Sequence, residues 1–274
     1  MHEMLRVGPG FRLDQVDTGA TPGIDADKKT TERMLAEGAE RLSALQERLF
    51  ADSRAGGTRR VLLVLQAMDT AGKGGILRHV VGAVDPQGVQ LAAFKKPTAE
   101  ELAHHFLWRI EKRLPEAGMI GVFDRSHYED VLIGRVRQLA PADEIERRYD
   151  EIRAFEQRVA DSGTEIVKVM LHISSAEQKA RLTERLERPD KHWKYNPGDV
   201  DERMLWAEYQ AAYQLVLDRT DAPHAPWYVV PADHKWYARL AVQAILLAAL
   251  ERIDPQWPAA DYDVEHEKAR LAAT

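Results

Sequence analysis

Short apolar runs alternate along the chain with longer segments of helical periodicity. The runs at 61–65, 89–94, 119–123, 165–173 and 227–230 are continuous rather than alternating, which is typical of strands covered on both faces by crossover helices. Helical patterns or capping residues predict helices at 76–84, 98–113, 126–137, 143–160, from Ser174 onward, at 202–219 and at 235–252. This order predicts an α/β fold: a doubly wound, five-stranded parallel sheet with ligands at the carboxyl ends of its strands.

The segments outside this alternation divide the chain into three parts. Residues 1–55 are expected to form an arm followed by a helix over 31–50, residues 56–254 the main domain, and residues 255–274 a charged, mobile tail. Leu35, Leu42 and Leu49 lie seven positions apart on the first helix. Such a stripe favours docking on the core, with a subunit interface as the alternative.

Composition excludes several classes of function. Lys and Arg number 38 against 44 Asp and Glu, a net charge of −6, which argues against a general nucleic-acid binder but allows a local basic groove. The absence of cysteine excludes disulfides, thiolate zinc sites and a cysteine nucleophile. The first residues hold no apolar core of signal-peptide length, and the apolar run at 240–250 is too short to cross a membrane. A cytoplasmic protein without membrane partners is therefore expected.

A turn of small residues at 65–75, Leu-Gln-Ala-Met-Asp-Thr-Ala-Gly-Lys-Gly-Gly, joins the first strand to a helix. It departs from the phosphate-loop pattern G-x-x-x-x-G-K-[ST], since Ala67 replaces the first Gly and Gly74 the hydroxyl residue. The position and Lys73 still predict a phosphate cradle. Asp69 could replace the missing hydroxyl as a Mg²⁺ ligand. The alternative is a glycine-rich turn without a ligand.

An acid and an arginine, Asp124 and Arg125, close the third strand. An Asp at this position can bind Mg²⁺ or accept a proton, and Arg125 can clamp phosphate. The alternative for Asp124 is a simple helix N-cap.

Two further segments are rich in cations. Lys95 and Lys96 follow the second strand, at the ligand edge, where they would suit a polyanion longer than a nucleotide. The run Arg181, Arg185, Arg188, Lys191 and Lys194 is read either as a solvated helix face or as a mobile lid over phosphates, spanning about 181–203. Asp199 could belong to that lid or cap the following helix. His104 and His105 lie on different helix faces, which argues against metal binding.

Together these motifs resemble the second family of polyphosphate kinases, the polyphosphate:nucleotide phosphotransferases. The likeness runs from about residue 30 to 252. It rests on these segments: Asp69-x-x-Gly72-Lys73-Gly74-Gly75, Phe94-Lys-Lys-Pro-Thr98, Phe106-Leu-Trp-Arg109, Phe123-Asp-Arg-Ser-His-Tyr-Glu-Asp130, Arg181-x-x-x-Arg185, Lys191-x-Trp-Lys194, Asp199, Ala225-Pro-Trp227 and Lys235-x-x-x-Arg239. The segment 123–130 resembles the corresponding segment in the branch of this family that uses both AMP and ADP. The departures are Ala67, and His105 where an Asp is frequent.

The resemblance implies a P-loop kinase-like, three-layer α/β/α fold with a helical lid. It implies reversible, Mg²⁺- or Mn²⁺-dependent transfer of the terminal phosphoryl group of inorganic polyphosphate to AMP or ADP, and a homo-oligomer, dimeric or tetrameric. Asp69, Lys73, Asp124, Arg125 and Arg185 become candidate catalytic residues, with Asp69 and Asp124 as metal ligands. Residues expected to bind phosphate or nucleotide are Thr70, Ala71, Gly72, Gly74, Gly75, Lys95, Lys96, Arg109, Tyr128, Glu129, Arg181, Lys191, Lys194 and Asp199.

Two other hypotheses compete with this one. An ATP-dependent kinase of nucleotides or small metabolites could use the same fold, but ATP alone needs no second track for a polyanion such as Lys95 and Lys96. A non-catalytic anion-binding module would gain nothing from the two acids, Asp69 and Asp124.

Overall fold

One all-parallel sheet forms the centre of the molecule. The computed structural model describes residues 1–26 and 28–274, with Lys28 described by its backbone; Asp27 of the predicted arm lies outside this part of the chain. The strand order is β2-β3-β1-β4-β5, as expected for a doubly wound sheet. The strands are β1 Arg60–Ala67, β2 Val89–Ala93, β3 Ile120–Asp124, β4 Thr164–His172 and β5 Trp227–Pro231.

Hydrophobic cores cover both faces of this sheet, and the predicted three-layer α/β/α architecture is confirmed. Along β1, Leu63 and Leu65 belong to one core and Leu62 and Val64 to the other. The first core is completed by α1 Lys28–Arg54, α2 Lys73–His79 and α10 Lys235–Ile253. The second is completed chiefly by α6 Ala142–Asp161 and α9 Trp206–Thr220. Within the described residues, no helix is both long and apolar enough to cross a membrane.

Four predicted helices are shorter or broken. The helix expected over 76–84 ends at His79 as α2, and a 3-10 helix, Val81–Ala83, follows it. The helix expected over 98–113 is two short helices, α3 Ala99–Leu102 and α4 Trp108–Glu111, because the intervening segment turns so that Leu107 can pack into the core. The capping box of Thr98 and Glu101 is confirmed. The segment 126–137 is a 3-10 helix, His127–Asp130, followed by α5 Ile133–Val136.

Further helices lie in the lid region and in the tail. They are α7 Ser175–Glu187, a 3-10 helix Pro189–Lys194, α8 Gly198–Arg203 and α11 Val264–Ala272. The single helix predicted over 202–219 is therefore divided between α8 and α9. The tail expected to be mobile contains α11, none of whose residues is buried.

The N-terminal arm lies along the core rather than extending from it. The backbone N–H of Val7 donates to the Trp227 carbonyl at 2.9 Å, and Arg6 forms an antiparallel bridge with Tyr228. The Leu13 N–H donates to Gln214 Oε1 at 2.8 Å, and the Thr18 hydroxyl to Asp233 at 2.8 Å. On α1, Leu42 and Leu49 are buried in the same core as α10, so the leucine stripe docks on the core.

Candidate active site

The predicted phosphate cradle, residues 68–75, connects the end of β1 to the start of α2. Thr70 has φ of 67° and Gly72 of 121°, so two left-handed residues fold the loop back on itself. At Gly72 this backbone favours glycine. A Cβ at Gly74 would meet no protein atom within 4 Å, so the bare backbone here faces open space that a ligand can approach.

One arginine of α7 holds this loop in shape. Arg181 is 5% exposed, and its Nη1 donates to the carbonyls of Thr70 and Ala71, each at 3.0 Å. Its Nη2 donates to the Ala232 and Asp233 carbonyls at 2.7 and 3.0 Å. Its Nε also bonds to a carboxylate, so the whole guanidinium is occupied by protein acceptors. The prediction that Arg181 binds phosphate directly is therefore corrected: it positions the cradle.

The second predicted element, the turn at 124–130, lies beside the cradle at the carboxyl edge of the sheet. Arg125 is left-handed, with φ of 63°, and its N–H donates to the Leu65 carbonyl at 3.0 Å. Ser126, rather than Asp124, caps the following 3-10 helix, because its hydroxyl accepts from the Tyr128 N–H. The N-cap alternative for Asp124 is thus wrong, and its carboxylate is available for other partners.

Crossed ion pairs join the cradle to this turn. Arg125 Nη2 of the turn lies 2.9 Å from Asp69 Oδ1 of the cradle, and Lys73 Nζ of the cradle lies 4.0 Å from Asp124 Oδ1 of the turn. Burial alone would lower the pKa of Arg125, but the carboxylates of Glu129 and Asp69 raise it above its ordinary value. The structure therefore brings all four residues together as the sequence predicted.

Glu129 lies next to this group. Burial raises the pKa of its carboxyl, while the charges of Arg125 and Lys73 oppose that shift. The Gln66 amide is oriented so that its nitrogen donates to Glu129 Oε1 at 3.0 Å and its oxygen accepts from the Ser126 N–H at 3.1 Å. Gln66 therefore connects the end of β1 to the turn.

Tyr128 does not line the site. Its side chain is fully buried, and its hydroxyl donates to Glu156 Oε1 at 2.7 Å. Lys168 Nζ donates to Glu156 Oε2 at 2.7 Å and to the Thr220 carbonyl at 2.7 Å, and His127 Nε2 lies 3.1 Å from Glu156. The predicted nucleotide contact at Tyr128 is corrected: the residue belongs to a buried ion cluster beneath the turn, made of His127, Tyr128, Glu156 and Lys168.

The predicted lid places an acid close to the crossed pairs. Arg185 Nη1 contacts Asp199 Oδ2 at 3.2 Å and the Lys194 carbonyl at 2.9 Å. Asp199 lies inside α8, whose N-cap is Pro197, so the capping alternative for Asp199 is wrong. Burial and the nearby Asp69 carboxylate raise the pKa of Asp199, against the charge of Arg185. A cavity of about 220 Å³ is lined by Asp69, Arg125, Glu129, Asn196, Asp199, Tyr209 and other residues.

Most of the cations predicted to line the lid already have acidic partners, and Lys194 is the exception among the described residues. Arg188 lies 3.2 Å from Glu184 and 2.8 Å from Asp190, and Lys191 also contacts Glu184. Lys194 Nζ lies 4.8 Å above the centre of the exposed Trp193 ring. In this conformation of the lid, its arginines and Lys191 are largely neutralised by acids of the lid itself.

The lysine track is different. Lys95 and Lys96 are exposed, and within residues 1–26 and 28–274 neither is paired with an acid. Arg109, predicted to bind phosphate, is buried instead. Its Nη1 donates to the Lys95 carbonyl at 2.9 Å and lies 3.7 Å from Glu101, so it shapes the track from below. Since Ala93 pairs with Asp124 in register, the track begins beside the turn.

The donor set at the crossed pairs fits a magnesium ion that is shared with phosphate. Asp69 and Asp124 supply carboxylate oxygens, and the buried Thr70 hydroxyl has no hydrogen-bond partner in the described part of the chain. No group of three or more His, Cys, Asp or Glu capable of holding a metal occurs among the described residues. Mg²⁺ commonly binds through one or two carboxylates and substrate phosphates, which is the arrangement available here.

Sequence reasoning missed the residues that support the site from behind. Gln178 Nε2 donates to the Asp69 carbonyl at 3.2 Å, and Gln66 and Lys168 are buried within otherwise apolar strands. A polar residue inside a continuous apolar strand was the available signal, because such a group must find a partner when it is buried.

Comparisons with known proteins find a matching family, similar sequences and similar solved structures. A family model described as polyphosphate kinase 2 matches residues 25–258. The chain is 44% identical over 248 residues to the AMP/ADP-polyphosphate phosphotransferase of Meiothermus ruber, covering 90% of this chain and 91% of that protein. It is 42% identical over 270 residues to the ADP-polyphosphate phosphotransferase of Rhodopseudomonas palustris, covering 93% and 92%. A crystal structure of polyphosphate kinase 2 from Arthrobacter aurescens TC1 superposes with a TM-score of 0.98 at 57% identity, covering 99% and 96%.

Proposed function

Because the chain belongs to the polyphosphate kinase 2 family, we propose that the cradle and the 124–130 turn transfer the terminal phosphoryl group of inorganic polyphosphate to AMP or ADP. Polyphosphate-dependent phosphorylation of a nucleotide is the activity of its relatives by name. The observation that carries the proposal is the pair of crossed contacts, Asp69–Arg125 and Lys73–Asp124, beside an unpaired lysine track. Two acids and two cations at one edge suit phosphoryl transfer, which depends on positioning and charge neutralisation.

The two acids would hold the metal. Asp69 and Asp124 would bind Mg²⁺, or Mn²⁺, with Thr70 as an additional oxygen nearby, and the bound ion would neutralise charge on the transferred phosphoryl group. The bare backbone at Gly72, Gly74 and Gly75 and the side chain of Lys73 would contact phosphate oxygens.

Arg125 and Arg185 would bind the nucleotide phosphates. In the transfer, an acceptor phosphate oxygen forms a bond to the terminal phosphorus while the anhydride bond to the rest of the chain breaks. The leaving polyphosphate takes the electrons of that bond. Since both reactant and product contain phosphoanhydrides, the same site would run the reaction in both directions. Arg185 and Lys191 would exchange lid carboxylates for phosphate, so binding would require the lid to rearrange.

The decisive experiment mixes the purified protein with Mg²⁺, polyphosphate and AMP or ADP, and separates the nucleotides by chromatography. We expect ADP and ATP to form only when polyphosphate is present. A matched reaction replaces polyphosphate with ATP and uses AMP as the acceptor. Phosphorylation with ATP alone, and none with polyphosphate, would favour the ATP-dependent kinase over the proposed function.

The lysine track distinguishes donor binding from acceptor binding. Lys95→Ala/Lys96→Ala is expected to raise the KM for polyphosphate about tenfold or more while changing the KM for AMP little, because two free cations face the long polyanion. Arg33→Ala/Arg41→Ala, at exposed positions of α1, removes the same charge and serves as the control. Equal increases in both KM values would show that these lysines do not form a donor track.

We also propose that the chain assembles as a dimer or tetramer. Exposed apolar side chains on the tail, Trp257, Tyr262 and Leu271, support this proposal because such residues often lie at subunit contacts. Light scattering of the purified protein would give the mass, and a monomeric mass would overturn the proposal.

A further inference from the structure

A second and larger cavity lies against a neighbouring face of α9. Tyr209 and Tyr213 of this helix line the cavity beside Asp69, whereas Trp206, Gln210 and Gln214 line the second one. The second cavity measures about 500 Å³, within the range of small-molecule sites. The N-terminal arm forms its outer wall with residues from 12 to 18, and the end of β4 and the start of α7 form its floor, so we call it the arm cavity.

Two polar groups in the arm cavity lack protein partners. His172 is only 7% exposed, and its ring nitrogens make no hydrogen bond within residues 1–26 and 28–274. Burial lowers the pKa of His172 to about 4, so the ring is neutral and offers one donor and one acceptor. The buried Gln210 Nε2 likewise has no partner in the described structure. Buried polar groups are normally satisfied, so the enclosed Gln210 Nε2 points to a ligand or ordered water, and the unpaired His172 ring beside it offers further hydrogen-bonding groups.

The other walls define the chemistry that would fit. Trp206 is partly buried between the two cores, and its indole offers a flat apolar surface. The charges at the mouth cancel, because Arg12 Nη2 lies 2.9 Å from Asp14 Oδ2. A cavity without net charge, with a flat wall, two free donors and a free acceptor, suits a neutral planar heterocycle with donor and acceptor edges rather than a phosphate.

We propose that the arm cavity binds a nucleoside through its base, at a site separate from the phosphoryl-transfer site. The site would be coupled to the cradle through a short chain of contacts. The backbone carbonyl of Ser175, at the cavity wall, accepts from Arg203 Nη1 at 2.7 Å, and the same nitrogen donates to Gln178 Oε1 at 2.9 Å. Gln178 in turn donates to the Asp69 carbonyl at 3.2 Å. Occupancy of the arm cavity would therefore restrain the start of α7, which carries the support of the phosphate cradle.

Calorimetric titration with adenosine, guanosine, cytidine and uridine tests this proposal directly. These probes carry no phosphate, so their binding does not depend on turnover or on the proposed function. We expect at least one of them to bind, and Gln210→Leu to weaken it about three- to tenfold, the effect of one lost hydrogen bond. Gln157→Leu, at an exposed position of α6, is the matched control and should leave the affinity unchanged. Binding by none of the four nucleosides overturns the proposal.

Hydrogen exchange locates the bound nucleoside. We expect slower exchange in peptides covering 11–18 and 206–214. Protection confined to 125–133 and 196–202, together with an unchanged affinity of Gln210→Leu, would place the nucleoside in the cavity beside Asp69 and overturn the proposal. His172→Leu provides a second variant, expected to weaken the same nucleoside by a similar factor, and its circular dichroism and thermal unfolding confirm that it is folded.

Discussion

The phosphate cradle and the 124–130 turn meet at the same edge of the sheet, but they are supported in different ways. Each contains a non-glycine residue in the left-handed region, Thr70 and Arg125, and each supplies one acid and one cation to the crossed pairs. The cradle is held by neutral acceptors, since Arg181 and Gln178 of α7 donate to its carbonyls. The turn is held by the buried ion cluster, in which Lys168 is fully buried.

This difference indicates which half of the site can move. The helix that supports the cradle continues directly into the segment proposed as a lid, so a rearrangement of that segment would be transmitted to the cradle. The cluster beneath the turn lies in the core between β4, α6 and α9, and its charges cannot separate without a large desolvation cost. We infer that the turn is the fixed half of the site and the cradle the adjustable half.

The largest expected effect tests whether both halves contribute equally to chemistry. Asp124→Asn and Asp69→Asn should each lower kcat by at least about 10³-fold, because each removes a carboxylate that would hold the metal ion needed to neutralise the transferred phosphoryl group. Single-turnover assays with polyphosphate and AMP would measure this, and Asp161→Asn at an exposed position is the control. Near-normal turnover in either variant would show that its half of the site does not hold the metal.

Removing a charge from the buried ion cluster should affect stability more than chemistry. Lys168→Met leaves the Glu156 carboxylate buried without its main partner, and we expect the free energy of unfolding to fall by about 3–5 kcal/mol. Urea unfolding measures the loss, and kcat per folded molecule should change less than tenfold. The double variant Lys168→Met/Glu156→Leu should recover part of the stability. If Lys168→Met is as stable as the wild type, the cluster is not the support of the turn.

A substitution that disturbs the cradle, the adjustable half, should affect catalysis more than stability. Arg181→Lys loses the planar fork that bridges the cradle and the β5–α10 connection, so we expect kcat/KM to fall about 10²-fold through misplacement of the cradle. The free energy of unfolding should fall by about 1–2 kcal/mol at most. Arg188→Lys, at the C-cap of the same helix and paired only with acids, is the control. A loss of stability without a loss of activity would reverse the assignment of the two halves.

Lowering the pH should reduce the free energy of unfolding through His172. This residue lies just before α7, the helix that supports the cradle. Because burial lowers its pKa to about 4 from an ordinary value of 6.5, the unfolded chain binds more protons between these values, and stability falls as pH falls. His172 alone should account for about 2 kcal/mol lost between pH 7 and pH 5. Urea unfolding at the two pH values, compared with His172→Leu, measures this contribution. If the free energy of unfolding of His172→Leu falls by the same amount between the two pH values, groups other than His172 cause the loss.

Much of the fold follows from local pattern. The five continuous apolar runs are the five strands, and Ser174 and Thr98 cap helices where the capping residues indicated. The breaks in the helices were not predicted because they depend on tertiary packing. Leu107 and Tyr128 pack into the core, and the free energy gained by burying them outweighs that of continuing the helix.

In the site too, features set by nearby sequence could be predicted, whereas features set by tertiary contacts could not. The crossed pairs could be predicted because Asp69, Lys73, Asp124 and Arg125 all follow neighbouring strands of one sheet edge. The role of Arg181 could not be predicted, because an arginine at helical spacing in a charged helix is usually exposed to solvent. Only the fold shows that the cradle carbonyls lie above it. The left-handed backbone of Thr70 is likewise set by tertiary contacts and not by residue type.

The docked arm also constrains the order in which the chain can fold. Leu13 and Gln214 are separated by 201 positions, and Thr18 and Asp233 by 215, so the arm can make these contacts only after α9 and β5 are in place. Contacts of such long range form late and slow folding. Until they form, the outer edge of β5 is unpaired and open to other chains. We therefore infer that the arm closes the sheet late in folding, and that removing it would leave a strand edge available for aggregation.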